Sequence, residues 1–354
     1  GLGDVYKRQA LMAPTGRAAK RLAISSGRDA DTIHKALEAS VRETGRTYFE
    51  RNEANPLEED LIIVDEASML DISLFYHLLC ALKDGARLIL VGDIDQLPPV
   101  GAGEPLKDLM SWGYVPIVRL KRIFRQEEGS GIVENAALIR KGEMCVPDEA
   151  GEFRIVYAAD DEDAYRIVMD LCRELNYGNE ENKMLLQVLS PMYRGVCGVD
   201  HLNESLQEMI HGEKVPDGMK FFPGDKVMQT RNDYEKGIYN GDVGTVWTAT
   251  PQKVFVRYFD KEVVYEGEER FDLRLAYAVT VHKSQGSEYE TVIFILRPSQ
   301  HNMLQRNLLY TGVTRARKNT ILVTAPDALR RALAIQHTGN RYSLFLPFLN
   351  HEAL

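Results

Sequence analysis

The stretch from Leu61 to Asp71, LIIVDEASMLD, decides which fold this chain is expected to adopt. Four apolar residues, three of them β-branched, run directly into the adjacent carboxylates of Asp65 and Glu66. This order predicts a buried strand that carries two acids at its carboxyl end. A pair of acids after a strand is also typical of a helix start that is stabilised by negative charge. The stretch alone leaves both interpretations open.

A second stretch repeats the pattern from Arg87 to Gly101, RLILVGDIDQLPPVG. Here an apolar strand is followed by a polar turn that carries Asp93, Asp95 and Gln96. Open α/β sheets place their ligand sites at the carboxyl ends of neighbouring strands. A hard cation such as Mg²⁺ prefers carboxylate and water oxygens. The two stretches together therefore suggest a site for a nucleoside triphosphate with Mg²⁺.

Length and composition set outer bounds on the protein. A chain of 354 residues exceeds the size at which a single core keeps growing, so two or more domains are expected. With a net charge of -9, the protein as a whole does not attract a polyanion such as nucleic acid. Binding of a polyanion would require a local basic groove. The four cysteines form no CxxC pair, which argues against a disulfide framework or a zinc site and fits the reducing cytoplasm. No apolar run is long enough to cross a membrane, and no secretory segment is present.

Two further turns precede the opening stretch. An apolar strand over residues 10–13 ends at a proline, and Thr15 and Arg17 then lead into a helix. A hydroxyl, backbone N–H groups and a helix N-terminus can hold a phosphate, although a plain strand-to-helix turn has the same residues. Next, Thr32 or its neighbour can cap a helix that carries His34. A single histidine in such a position is more often a structural hydrogen-bonding group than a ligand.

Alternating strands and helices on both sides of residue 120 predict two parallel-sheet α/β domains. The first covers residues 1–119 and includes a β-hairpin over about 41–51, with Thr44-Gly45 at its turn. The second covers 120–218 and 274–354. A further strand, VPIVRL, is predicted at residues 115–120, where the first domain passes into the second. Between its two parts, residues 219–273 contain about five short strand-like runs with Gly and Asp turns, which predict a small inserted β-barrel.

Eight motifs occur in one order along the chain: APTGRAAKRL, TIHKAL, IIVDEASM, LVGDIDQLPPVGAG, LKRIFRQ, GDKVMQTRNDY with YNGDVGTV, VTVHKSQGSE and LLYTGVTRAR. In this order they resemble the RecD-like branch of superfamily 1 (SF1B) DNA helicases, over roughly residues 10–325. The resemblance implies two RecA-like P-loop NTPase domains with an SH3-like barrel. It also implies an ATP- and Mg²⁺-dependent helicase of DNA recombination and repair that acts on single-stranded DNA and on single-strand/duplex junctions. Members of this family move along single-stranded DNA in the 5′ to 3′ direction, and their β-hairpin acts as the wedge that splits the duplex.

The resemblance also assigns catalytic roles. By analogy, Asp65 binds Mg²⁺, Glu66 orients the attacking water, and Gln96 senses the γ-phosphate. Arg125 and Arg315 would act as arginine fingers from the second domain, since a guanidinium matches phosphate oxygens in two-pronged geometry.

Other positions are implied to bind ligands. The nucleotide is expected near Gly92, Asp93, Gln285 and Glu288. Seven residues are implied to hold the DNA backbone, in a groove where their basic and hydroxyl groups are concentrated. They are Thr15, Arg17, Thr32, His34, His282, Lys283 and Ser284.

One departure from the family pattern concerns the phosphate-binding loop. No GxxxxGK(S/T) sequence occurs in the chain, although in this family it immediately precedes the APTGRAAKRL strand. We therefore expect a fragment of an active enzyme, with residues 1–9, GLGDVYKRQ, as a foreign leader. Two alternatives are a non-enzymatic DNA-binding remnant and the helicase subunit of a multi-subunit exonuclease, whose nuclease would lie on a partner.

Overall fold

The computed structural model describes residues 8–41, 47–120, 129–216, 218–233, 235–259, 261–336 and 345–350. The chain divides into two compact units, residues 1–120 with 339–354, and residues 121–338. In the described part of the chain, no helix is both long and apolar enough to cross a membrane.

The first unit is built on a four-stranded parallel sheet. Its elements in chain order are β1 (Gln9–Ala13), α1 (Gly16–Ser26), β2 (Asp31–Thr32), α2 (Ile33–Ala36), β3 (Ala39–Val41), β4 (Thr47–Phe49), β5 (Leu61–Val64), α3 (Ile72–Cys80), β6 (Arg87–Leu90) and α4 (Pro105–Trp112). The sheet order is β2-β1-β5-β6, and every pairing within it is parallel. Strands β3 and β4 form a separate antiparallel pair, which supplies the arms of the predicted hairpin. The predicted turn of that hairpin, Thr44-Gly45, lies outside the described residues.

Alternation along β5 explains how the first core forms. Ile62 and Val64 are buried, and they share one core cluster with Phe75 and Leu78 of α3. The helix begins at its N-cap Asp71, whose Oδ1 accepts a hydrogen bond from the Leu74 N–H at 2.8 Å. Such a cap satisfies one of the donors that a helix start leaves open. The opening stretch is therefore a buried strand, followed by an acidic turn and a separately capped helix.

The second unit contains a five-stranded parallel sheet and a five-stranded antiparallel sheet inserted into it. Its elements are α5 (Gly131–Lys141), β7 (Phe153–Tyr157), α6 (Asp161–Glu174), α7 (Glu180–Leu185), β8 (Leu186–Ser190), α8 (Val199–His211), β9 (Lys226–Gln229), β10 (Val243–Ala249), β11 (Lys253–Arg257), β12 (Glu262–Glu266), β13 (Leu273–Leu275), β14 (Ala278–Thr280), β15 (Tyr289–Leu296), α9 (Arg306–Val313), β16 (Ala316–Thr324) and α10 (Pro326–Ala334). The parallel order is β14-β8-β15-β16-β7, with β15 in the centre. Residues 292–296 of β15 are all buried, as expected for a strand covered on both faces.

The inserted sheet has the order β12-β11-β10-β9-β13 and is antiparallel throughout. Buried and exposed residues alternate along β11 and β12, so one face of the sheet forms a core of its own. The fold is therefore the predicted α/β architecture with a small inserted β-domain. Within the described residues, β12 and β13 stand at the two ends of this five-stranded sheet.

Two local predictions also differ from the structure. Residues 115–120, predicted as a strand, form no strand, and the side chains of Val118 and Leu120 are exposed. A short apolar run is not enough to form a strand when no neighbouring strand pairs with it. The predicted second domain extends to residue 354, whereas α11 (Phe345–Leu349) packs against α4 of the first unit. Its Phe345 ring lies 5.8 Å from that of Phe75, between centroids.

Candidate functional site

The carboxyl edge of the four-stranded sheet brings four turns side by side. The pairing register places Ala13 opposite Thr32, and Val64 opposite both Met12 and Leu90. Since all four strands run in the same direction, the turns that follow them lie along one edge. Predicted site residues occur in each of these turns. In sheet order they are Thr32 with His34, Thr15 with Arg17, Asp65 with Glu66, and Asp93 with Gln96.

The turn after β5 has a strained backbone at one acid. The Asp65 N–H donates to the Met12 carbonyl at 2.9 Å, and Asp65 Oδ1 accepts from the Glu66 N–H at 2.9 Å. Glu66 itself has a φ of 53°, in the left-handed region. A non-glycine residue in this region costs on the order of 1–2 kcal/mol, and such residues cluster at functional sites. A hydrogen bond from the Ala67 N–H to the Val91 carbonyl, at 2.8 Å, helps to hold the turn.

Gly92 lies where the turn after β6 meets the turn after β5. A Cβ atom on Gly92 would stand 2.8 Å from the Ser68 nitrogen and 2.8 Å from Leu106 Cδ2. No other residue fits such a contact without a backbone shift. The observed reason for glycine here is therefore the close approach of two turns, and nucleotide binding by Gly92 stays a prediction.

Asp93 shapes the turn that carries Gln96. Its Oδ1 accepts from the Asp95 N–H at 3.0 Å, and its carbonyl accepts from the Gln96 N–H at 3.3 Å. The Gln96 side-chain amide reaches Asp93 Oδ2 at 3.4 Å, which is a weak hydrogen bond. Asp93 therefore positions Gln96 beside the Asp65–Glu66 turn, a structural role that the sequence prediction did not include.

The donor set at this edge fits Mg²⁺ held together with a nucleotide. Among the residues that the structure describes, no group of three or more acids, histidines or cysteines is arranged to hold a metal ion. Mg²⁺ is usually bound by one or two carboxylates, with substrate phosphates and water completing its shell. Asp65, at the end of the strand, can supply such a carboxylate. A metal held by the protein alone would need more ligands.

The threonines predicted to hold DNA already cap helices. Thr15 Oγ1 accepts from the Ala18 N–H at 3.2 Å, and Thr32 Oγ1 accepts from the Lys35 N–H at 3.1 Å. Each hydroxyl still has its own O–H to donate to a phosphate. Burial lowers the pKa of His34, and the Asp71 carboxylate opposes this shift. His34 is therefore a neutral hydrogen-bonding group at pH 7.

The second unit presents a further set of predicted residues just after β14. Burial lowers the pKa of His282, and burial together with the nearby Arg274 lowers that of Lys283. Lys283 Nζ donates to Asn240 Oδ1 of the inserted domain at 2.7 Å. Ser284, by contrast, is fully buried, and its hydroxyl donates to the Val281 carbonyl at 2.7 Å. In this conformation Ser284 supports the turn, and its hydroxyl is not presented at the surface.

The remaining predicted residues lie at the opposite edge of the second parallel sheet. Tyr289 and Ala316 pair at the amino ends of β15 and β16. The segment between β14 and β15 therefore runs from the carboxyl ends to the amino ends of the strands, carrying Gln285 and Glu288 with it. Arg315 precedes β16, and Arg317 lies within that strand.

Arg315 is enclosed at this edge. Only 2% of it is exposed, and its guanidinium donates to the Thr311 carbonyl at 3.0 Å and to the Ser287 carbonyl at 3.2 Å. Next to it, Glu288 accepts from Arg317 Nη2 at 2.8 Å. Arg315 is thus held rigidly by backbone carbonyls of its own unit. The second predicted arginine finger, Arg125, lies outside the described residues.

Two residues in these regions had no assigned role in the sequence analysis. The Ser68 hydroxyl is buried and finds no hydrogen-bond partner within the described part of the chain. The Asn240 Oδ1 atom accepts a hydrogen bond from Lys283 Nζ. The only sequence signal for either was its position inside a quoted motif, because contacts between distant segments leave no local pattern.

Three family models match parts of the chain. Residues 2–102 match the AAA domain, residues 275–323 the UvrD-like helicase C-terminal domain, and residues 202–258 the ATP-dependent RecD-like DNA helicase SH3 domain. These matches cover the sheet edge with Asp65, the segment with Gln285 to Arg315, and much of the inserted domain.

Curated relatives match almost the whole chain. The ATP-dependent RecD2 DNA helicase of Deinococcus radiodurans is 38% identical over 94% of this chain and 45% of its own length. The RecBCD enzyme subunit RecD of Mycolicibacterium smegmatis is 32% identical over 97% of this chain and 67% of its own length. The chain thus spans less than half of the first of these relatives and about two thirds of the second.

Solved structures share the fold at lower sequence identity. The Pif1 helicase from Bacteroides in complex with ADP-AlF3 and ssDNA aligns with a TM-score of 0.55 at 20% identity, covering 98% of this chain and 87% of that one. Pif1 helicase from Candida albicans aligns with a TM-score of 0.54 at 19% identity, covering 94% and 87%. The two-sheet α/β architecture is therefore the one found in these helicases.

Proposed function

Because this chain belongs to the RecD-like branch of superfamily 1 DNA helicases, we propose that it carries the motor core of an ATP-dependent enzyme that moves along single-stranded DNA. The observation that carries the proposal is the shared sheet edge of the first unit. There the strained Asp65–Glu66 turn lies beside the turn that Asp93 builds around Gln96. We infer from family membership that translocation runs 5′ to 3′, that the duplex is split at single-strand/duplex junctions, and that the process served is DNA recombination or repair.

The proposed division of labour follows from the chemistry of each group. Asp65 would contribute a carboxylate ligand to the Mg²⁺ that accompanies ATP. When bound, this ion neutralises part of the negative charge of the phosphates. Glu66 would orient the water that attacks the terminal phosphate, and Gln96 would respond to that phosphate. Arg315 would stabilise the negative charge that develops on it. In the described conformation the Arg315 guanidinium donates to carbonyls of its own unit, so this role requires it to exchange those contacts for phosphate oxygens.

The phosphate-binding loop is the component that these 354 residues do not contain. In P-loop enzymes this loop supplies the lysine and most of the amides that surround the phosphates. We infer that the chain by itself binds ATP weakly and hydrolyses it very slowly. Measuring ATP hydrolysis with and without a poly(dT) oligonucleotide tests this inference, and robust DNA-stimulated turnover would contradict it.

The role of Glu66 is best tested in a version of the protein that includes a GxxxxGK(S/T) loop. Glu66→Gln keeps the size of the side chain but removes the carboxylate, so hydrolysis should fall by at least 100-fold while ATP binding persists. Continued unwinding by this variant would refute the assigned role. Strand displacement on DNA with a single-stranded 5′ or 3′ tail then reports the polarity.

Binding of single-stranded DNA can be measured on this chain directly. Fluorescence anisotropy with a labelled 12-nucleotide dT strand should show binding that weakens steeply with salt, since phosphate contacts release counterions. No binding at low salt would refute the proposed function.

The four cysteines are free thiols, which supports the further proposal of a reducing, cytoplasmic location.

A second candidate function is favoured by one of the relatives. The protein from Mycolicibacterium smegmatis is called a RecBCD enzyme subunit, so this chain could serve as the helicase subunit of a multi-subunit exonuclease. Purification of the tagged protein from its own cells, followed by a nuclease assay of what purifies with it, separates a stand-alone motor from a subunit. A purely DNA-binding remnant predicts no hydrolysis even when a phosphate loop is supplied.

A further inference from the structure

A cluster of aromatic, amide and cationic side chains in the second unit includes Lys283 and Asn240 together with three residues that have no role so far. We call it the Tyr193 cluster, and it consists of Tyr193, Lys220, Asn240, Arg274 and Lys283. Tyr193 follows β8, and Lys283 follows β14. These two strands pair in parallel up to Ser190 and Thr280, so their following turns share one sheet edge. The other three residues belong to the inserted domain, so two subdomains contribute.

Tyr193 and Arg274 form its solvent-facing part. The Arg274 guanidinium lies over the Tyr193 ring, 5.9 Å from its centroid. Tyr193 is 42% exposed, and the Arg274 side chain is 60% exposed. The Asp200 carboxylate stands 3.9 Å from Arg274 Nη1, at the limit for an ion pair. An anion can therefore reach the guanidinium, and a flat group can reach the ring.

The lysines of the cluster extend its positive charge. After burial, the charge of Arg274 is the second cause that lowers the pKa of both Lys220 and Lys283, so Arg274 acts on each of the two lysines. Lys220 Nζ donates to the Leu273 carbonyl at 2.7 Å, and Lys283 Nζ donates to Asn240 Oδ1 at 2.7 Å. In a chain with a net charge of -9, three neighbouring cations form a local field that attracts an anion.

The loop that carries Tyr193 is fixed by close backbone packing. The Tyr193 carbonyl accepts from the Asp200 N–H at the start of α8, at 3.0 Å. Gly198 approaches the same loop so closely that a Cβ there would stand 2.5 Å from the Tyr193 oxygen. A ring on such a loop is positioned before a ligand arrives, which reduces the ordering cost of binding.

We propose that the Tyr193 cluster is a subsite for one nucleotide of single-stranded DNA, whose base stacks on Tyr193 and whose phosphate is bound by Arg274 and Lys283. The subsite rests on the proposed function, since it requires that single-stranded DNA passes Lys283. Aromatic rings stack with any base, and a guanidinium binds phosphate in two-pronged geometry. The subsite therefore increases affinity without selecting a sequence.

The chain offers a matched control for this chemistry. On the inserted sheet, the Arg257 guanidinium lies over the exposed Trp247 ring, 5.5 Å from its centroid. There, however, Arg257 Nη2 and Nε donate to Glu262 Oε1 at 2.8 and 3.0 Å, so its charge is neutralised. The two pairs share an exposed aromatic ring under an arginine, but only the Tyr193 cluster has additional cations.

The test compares variants of the full 354-residue chain by anisotropy with labelled dT strands over a range of salt concentrations. Tyr193→Ala should weaken binding by about 5-fold or more, the lower end for loss of one base–aromatic stack. Arg274→Ala should weaken it and reduce the slope of log K against log salt by about 0.7, the value for one phosphate of a single strand. Arg257→Ala should bind like the parent chain, whereas Tyr193→Phe, which keeps the ring, should bind more tightly than Tyr193→Ala.

A strand with abasic sites distinguishes stacking from a change in loop structure. If Tyr193 stacks on a base, the penalty of Tyr193→Ala should largely disappear on the abasic strand, whereas that of Arg274→Ala should persist. Parent-like affinity of both alanine variants on dT, with the parent chain itself binding, would overturn the subsite alone. Absence of binding by the parent chain would overturn the proposed function and the subsite together. Both substituted side chains are exposed, and circular dichroism verifies that the variants are folded.

Discussion

Gly92 shows how one residue can set the spacing of two functional turns. Its missing side chain allows the turn after β6 to approach Ser68 and Leu106 at 2.8 Å, measured from an ideal Cβ position. We predict that Gly92→Ala destabilises the first unit by about 1–3 kcal/mol, because an added atom must displace backbone. Thermal unfolding measures the loss. Gly178→Ala is the control, since the new Cβ would meet Ile210 at an ordinary 3.5 Å, and an equal loss there would contradict the explanation.

His282 provides a prediction about pH. Burial lowers the pKa of His282 in the folded state below the ordinary value of about 6.5. Below pH 6.5, His282 is therefore protonated to a greater extent in the unfolded state than in the folded state. The stabilisation by neutral His282 is therefore complete above pH 6.5 and is lost as the pH falls. His282→Gln should reduce the slope of unfolding free energy against pH between 6.5 and 5, by at most about 1.4 kcal/mol per pH unit. Calorimetry over this range measures the slope. As a control, substitution of the exposed His301 by Gln should leave the slope of unfolding free energy against pH the same as in the parent chain.

At this scale, the sequence predicted residue types better than residue roles. The acids of the opening stretch lie at a strand end, as their position after an apolar run requires. The hydroxyl of Ser284, in contrast, bonds to a carbonyl three residues earlier and is buried. A motif reveals that a polar group is needed, but the direction of a side chain depends on tertiary packing that the motif does not encode.

At the scale of elements, one experiment can separate the N-cap role of Thr15 from its proposed role in DNA binding. As N-cap of α1 it accepts from the Ala18 N–H, so Thr15→Ala should cost about 1 kcal/mol of stability. Thr15→Asp retains a capping oxygen and places a favourable negative charge at the helix start. If a DNA phosphate binds there, the same charge should weaken binding of single-stranded DNA several-fold. Melting temperature and anisotropy report the two effects, and unchanged DNA affinity would leave Thr15 as a cap only.

Strands with a clear burial pattern were the elements most open to prediction. β1 and β5 are apolar runs that end at polar turns, and both form as predicted. The run at 115–120 looks similar in sequence but lacks a partner strand, so it remains irregular. Pairing between strands is a non-local property, and this also explains why the strand order of the inserted sheet could not be derived from five strand-like runs.

The whole molecule combines an acidic composition with local sites for anions. Of 95 charged side chains, 52 are acidic, yet the predicted phosphate-binding positions are helix caps, partly buried histidines and small groups of cations. Such sites attract a polyanion at short range, where the Debye length of about 8 Å at physiological salt screens distant acids. Net charge thus does not exclude DNA as a ligand, whereas the placement of hydroxyls and cations supports it.

The residues predicted to contact single-stranded DNA occur in both units. Thr15, Arg17 and Thr32 belong to the first unit, and His282 and Lys283 belong to the second. A ligand that binds only the folded state stabilises whatever it contacts. Adding a dT strand should therefore slow amide hydrogen exchange at the start of α1 and at residues 282–284. Exchange in α6, which carries no predicted contact, should not change. Salt near 0.5 M should abolish the protection, because phosphate contacts weaken steeply with salt. Protection confined to one unit would show that the strand does not use both sets of residues, and the translocation mechanism would then have to be rejected.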